Sequence, residues 1–83
     1  MQRFGEKLRV LRTHHQLTTR ALAEALGFTV HSNNYISRIE TGKQRPSLKF
    51  VLRAAAFFGV AVDVLTSDVA ELPDDMPAID ISQ

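Results

Sequence analysis

Residues 32–49 read SNNYISRIETGKQRPSLK, and several side chains in that run are built to read or grip a nucleic acid. The amides of Asn33 and Asn34 can pair bidentately with adenine. The guanidinium of Arg38 can do the same with guanine, and Ser37 can donate or accept at several bases. Lys43 and Arg45 follow at once, before Pro46. Cations on such a loop meet phosphates, with a sequence-independent and salt-sensitive contribution. Asn also favours the first positions of a helix for the sake of the unpaired N–H groups there, so the amides alone decide nothing. Order is what favours a reading role: a capped helix, a turn, a second capped helix with polar exposed ends, then a basic loop. Neighbouring helix N-termini also point at phosphates.

Other chemistries find little support. His14, His15 and His31 are the only histidines. Adjacent histidines on one helix point to different faces, so no metal site is expected. Near the end of a first helix they favour the helix dipole instead. Cys is absent, which excludes disulfides and thiolate metal sites and fits a reducing compartment. No nucleophile–base spacing and no Gly-rich phosphate loop occurs, so neither an enzyme nor a cofactor is expected.

The elements that must position these groups are helical almost throughout. Phe4, Leu8 and Leu11 recur at i, i+4 and i+7 between charged residues, predicting an amphipathic helix over about 3–14. Thr18 or Thr19 can cap a second helix with Leu22, Ala25 and Leu26 as its apolar stripe and Gly27 as its stop. The stretch 28–31 has no helical period and reads as a turn. Ser32 then caps a third helix to about Thr41, with Ile36 and Ile39 inward; Gly42 ends it and Pro46 prevents its continuation. Ser47 can cap a fourth helix, whose buried face is read as Leu48, Val51, Leu52 and Ala55, widened by Phe50, Ala54, Phe57 and Phe58. A helix so apolar all round is expected to be the central packing element. Gly59 stops it, and residues 62–66 can form a short fifth helix.

The 83 residues argue for one domain. No apolar run approaches the roughly 18 residues that span a membrane, and the N-terminus lacks the h-region of a signal peptide. All ten basic residues lie between Arg3 and Arg53, whereas residues 67–83 hold five acids and no base. That asymmetry suggests a polyanion-binding body over 1–66 and an acidic appendage over 67–83, open to dimerisation or partner binding. Within the appendage Ala78–Ser82 alternate as a short strand does, and a lone strand needs a partner. A disordered, solubilising tail is the other reading.

The pieces FGEKLRVLR, LTTRALAEALG, YISRIETGKQRPS and LKFVLRAAAFFGVAVDVL together resemble the Cro/CI/XRE-type helix-turn-helix transcriptional regulators. The third piece is the most specific, and the resemblance covers about four-fifths of the chain, Phe4 to Thr66. It implies an all-α, five-helix, lambda-repressor-like domain in the cytoplasm, nucleoid-associated when bound. Helices two and three read double-stranded DNA, usually as a homodimer on a palindromic operator. It places Thr18 and Thr19 at the start of helix two, one of them touching a phosphate or base edge, with Arg20 adding a phosphate contact. Ser32, Asn33, Asn34, Ser37 and Arg38 become the reading set, Tyr35 offers its hydroxyl to a phosphate, and Lys43, Gln44 and Arg45 hold the backbone. Glu40 is implied to pair with Arg9 or Arg12 of helix one. The chain departs from the family at Phe28–His31, about three residues more than many members carry before the reading helix, which brings Thr29 and His31 into reach of DNA.

The expected function is a sequence-specific transcriptional regulator, a dimeric repressor rather than an activator, because so small an operator-bound dimer can occlude polymerase but has little surface to recruit it. The alternative is a protein-interaction module, an antitoxin or an antagonist of a larger regulator. It would use the acidic tail with Val69, Leu72, Met76, Ile79 and Ile81 as anchors.

Overall fold

The computed structural model describes residues 3–28 and 33–72. Five helices make up the described chain: α1 (Phe4–His14), α2 (Thr19–Ala25), α3 (Asn33–Glu40), α4 (Leu48–Phe58) and α5 (Val62–Thr66). There is no strand among the described residues, and the protein is all-α. The alternating stretch 78–82 and the turn residues 29–32 lie outside the described residues.

α1 buries Phe4, Leu8 and Leu11 on one stripe, as its period requires. It ends where Gln16 takes a left-handed φ of 59°, which lets the Leu17 N–H return to the Arg12 carbonyl at 2.9 Å. α2 starts at Thr18, whose hydroxyl accepts the Ala21 N–H at 3.0 Å. Its buried residues are Leu22 and Ala23, with Leu26 just past its end. Ala25, expected on the inner stripe, is exposed instead. At about 100° per residue, Leu22, Leu26 and Ala23 span the buried arc, and Ala25 falls beyond the Leu22 edge of it. Gly27 at φ 83° turns the chain away.

α4 is the packing centre. Ser47 caps it by accepting the Phe50 N–H at 3.1 Å, and Gly59 closes it in the left-handed region. The Phe50 ring meets Phe4, Phe28 and Tyr35 at centroid distances of 6.3, 5.8 and 5.4 Å. Its buried stripe is Phe50, Val51, Ala54, Ala55 and Phe58. Leu48 and Leu52, expected inside, are exposed; Leu48 retains 72% of its surface. The two aromatic rings set the rotation of the helix, because they bury the most apolar area. With Phe50 and Phe58 inward, the Leu48–Leu52 row turns to solvent.

α5 packs on α4 and α1 and buries Leu65. The chain then stays on the body. Lys7, only 1% exposed, donates from Nζ to the carbonyls of Val64 and Ser67, each at 2.6 Å, and to that of Ala70. All three ammonium donors thus meet acceptors, two of them around the end of α5. Arg3 adds a backbone N–H to Asp68 Oδ1 at 2.9 Å and a forked pair to Glu71 at 2.8 and 3.1 Å. Leu72 packs against the core.

Candidate nucleic-acid interface

α3 is short, and its two faces differ sharply. Ile36 and Ile39 are buried, while Asn34, Ser37 and Arg38 are exposed. Asn33 opens the helix. The inner face packs on both α2 and α1, so the outer face carries only polar side chains. Its far end is tied to α1 by the Glu40 carboxylate, which accepts from Arg12 Nε at 2.7 Å and Nη2 at 3.0 Å. Of the two partners left open, Arg12 is the one used. Its third donor, Nη1, reaches the Leu17 carbonyl at 2.8 Å. The hydrogen bonds to Glu40 are the main reason the Arg12 guanidinium is held charged above its already high range, with burial opposing.

The loop after α3 is closed on the helix itself. The Lys43 and Gln44 N–H groups both donate to the Arg38 carbonyl, at 2.8 and 3.2 Å, with Gly42 at φ 78° making the bend. Arg38 Nε donates to Gln44 Oε1 at 2.7 Å, which fixes the root of an exposed guanidinium. Lys43, Gln44 and Arg45 are exposed. The Tyr35 hydroxyl accepts the Ser47 N–H at 2.8 Å. Its own O–H remains a donor, so one group both ties the end of the loop and can still address a phosphate.

On the α2 side, Thr18 spends an acceptor on its cap while keeping its O–H to donate. Thr19 begins the helix, and exposed Arg20 lies 3.6 Å from Glu24. The structure therefore places Thr18, Thr19, Arg20, Asn34, Tyr35, Ser37, Arg38, Lys43, Gln44 and Arg45 on two packed helices and the loop that follows them. Thr29, His31 and Ser32 lie outside the described residues.

Sequence reasoning passed over three supports. Arg53 of α4 donates to the Leu26 carbonyl at 3.0 Å and lies 5.2 Å over the Phe28 ring, anchoring the chain as it leaves α2. Lys7 shares the stripe of Phe4, Leu8 and Leu11, and that spacing was the available signal for its burial. Gly5 lies against the end of α3, a contact that no local pattern announces. The histidines hold no metal cluster among the described residues. His15 stacks on Phe58 at 5.6 Å, and its buried Nε2 has no hydrogen-bond partner. Desolvation, and secondarily neighbouring His14, lowers its affinity for a proton below the ordinary imidazole value.

No described helix is long and apolar enough to cross a membrane. A family model described as a helix-turn-helix domain matches residues 3–67. The chain is 44% identical over 57 residues to an uncharacterized HTH-type transcriptional regulator of Methanocaldococcus jannaschii, covering 69% of this chain and 82% of that protein. It is 37% identical over 65 residues to the cryptic phage CTXphi transcriptional repressor RstR of Vibrio cholerae, covering 78% of this chain and 56% of that one. No solved structure gives a significant match.

Proposed function

The chain belongs to the helix-turn-helix domain family, and from that membership we propose that it is a DNA-binding transcriptional regulator, a dimeric repressor that reads a palindromic operator through α3. One observation carries this reading. α3 is held from behind by two buried isoleucines and a part-buried Arg–Glu pair, while Asn34, Ser37 and Arg38 stand outward beside a cationic loop. A rigid helix with amide, hydroxyl and guanidinium groups outward is what major-groove readout needs. Lys43 and Arg45 supply the grip on phosphate, aided by the free O–H groups of Tyr35 and Thr18. Repression agrees with the phage repressor among the relatives.

Selection from a random duplex DNA library with the purified full chain, at near-physiological salt, tests the proposal. The expected product is a two-fold symmetric site whose half-sites lie about 10 base pairs apart, or a near multiple. Enrichment of an asymmetric site would remove the dimer from the proposal. Enrichment of nothing would remove sequence-specific reading altogether.

A further inference from the structure

α1 and α3 meet backbone to backbone at one point. A Cβ built on Gly5 would sit 2.1 Å from the Ile39 carbonyl oxygen and 3.1 Å from the Glu40 Cα. Even a weak C···O contact needs about 3.3 Å, so any side chain there must push the helices apart by about 1 Å. Backbone atoms, unlike the end of a long side chain, cannot swing aside. Gly5 is the second residue of α1 and is not among the glycines in the left-handed region, so its backbone conformation does not require glycine. Local structure therefore gives no reason for glycine here, and the contact with α3 does.

The contact falls at the C-terminal end of α3, where Arg12 also holds Glu40. That end is gripped twice by α1, once through backbone and once through a guanidinium, while the outward residues begin at the other end. An eight-residue helix is about 12 Å long, so a shift of about 1 Å at its base tilts or slides the whole reading face. Hydrogen bonds to base edges operate over only about 2.7–3.2 Å. Phosphate contacts from the flexible Lys43 and Arg45 side chains tolerate such a shift.

We propose that Gly5 is a positioning residue for DNA reading: its bare backbone sets how closely α3 approaches α1, and so where Asn34, Ser37 and Arg38 meet the groove. The proposal rests on the reading function assigned above. It separates from that function because the substitution should remove discrimination while sparing non-specific attachment.

The test compares wild type with Gly5→Ala for binding to the selected operator and to unrelated duplex at the same salt, with helicity followed by circular dichroism. Operator affinity should fall tenfold to a hundredfold, roughly the loss of one or two base contacts, with unrelated duplex and helicity unchanged. Undiminished operator affinity, or an equal fall on both duplexes, would overturn the proposal. A second measurement needs no substitution. In wild type, the nuclear Overhauser effect between the α-protons of Gly5 and Glu40 should persist when operator is added; its disappearance in the complex would equally overturn it. A wild-type chain without sequence preference fails before any substitution is made, and that failure belongs to the proposed function.

Discussion

Two arginine–glutamate forks tie this chain to its first helix, with nearly the same geometry and different surroundings. Arg12 grips Glu40 at 2.7 and 3.0 Å with side-chain exposures of 15% and 6%. Arg3 grips Glu71 at 2.8 and 3.1 Å, with exposures of 30% and 73%. Distance alone would rank them as equals. Burial separates them, because water competes freely for Glu71 and hardly at all for Glu40. The first pair locks α3, the proposed reading helix. The second only trims the start of the acidic segment against the body.

The sharpest break is at the buried fork. Arg12→Ala leaves the Glu40 carboxylate without its countercharge and frees the Leu17 carbonyl. The expected loss is about 3–5 kcal/mol, read as a lower midpoint in urea unfolding. A domain with roughly 5–15 kcal/mol in all cannot absorb that easily. A loss below about 1 kcal/mol would place Arg12–Glu40 in the same class as an exposed pair.

Lys7 stands between the two forks on α1 and makes a third kind of contact, a buried cation satisfied by carbonyls alone. Lys7→Met keeps the apolar stem and removes the ammonium. The carbonyls of Val64, Ser67 and Ala70 lose their donor, at a cost of about 2–4 kcal/mol by the desolvation of buried polar groups. Amide exchange should quicken in α5 and residues 67–70 more than in α3. Uniform quickening would show that the contact does not divide the molecule this way.

Much of this arrangement is legible in the sequence, and the legible part is local. Thr18 and Ser47 cap, Gly27, Gly42 and Gly59 stop, and the period of Phe4, Leu8 and Leu11 sets the phase of α1. Arg12 over Arg9 is not legible, since each follows a leucine of the buried stripe; only the structure decides, with Arg12 half-buried and Arg9 exposed. What escapes is whatever depends on distant chain. The Lys7 acceptors come from 57 to 63 residues away, and the Gly5 contact from another helix. The rotation of α4 escapes for a different reason. A helix apolar on nearly every side has no period to read, so its rings chose between the Leu48 row and the Phe50 row.

Asn34→Ala should cost about 1–3 kcal/mol on the preferred operator and relax preference at one base position. Lys43→Ala should weaken all duplexes alike and flatten the dependence of affinity on salt by about one unit of slope. Titrations on operator and scrambled duplex at several salt concentrations check both. Identical behaviour of the two variants would erase the division between reading and gripping.

His15 sharpens the contrast through pH. Its half-buried imidazole stacks on Phe58 with a buried, unpartnered Nε2, and its proton affinity is depressed in the folded chain. The unfolded chain therefore binds the proton more readily. Stability is full above the ordinary value of 6.5 and declines as pH falls below it, toward the lower folded value. The Tm should drop between pH 7.5 and 5.5, and His15→Phe should flatten that drop. A slope unaltered by the substitution would move the titration elsewhere.

The exposed fork gives the smallest effect, and that smallness is what the comparison requires. The hydrogen bond from Arg3 lowers the Glu71 pKa below the usual carboxylate range, with the Arg3 charge adding to it. A depressed carboxylate stabilises the fold above its unfolded pKa and stops doing so as pH falls through the folded value. That window lies below pH 4.5, well under the one His15 governs. Glu71→Gln should therefore leave the urea midpoint at pH 7 almost unmoved, and 0.5 M salt should remove whatever difference remains, since the Debye length is then only about 4 Å. The Arg3 N–H still has Asp68 and Lys7 still has its carbonyls, so residues 67–70 keep their place without the fork. A loss at Glu71 approaching that of Arg12→Ala, persisting in high salt, would mean that burial is not what separates the two pairs.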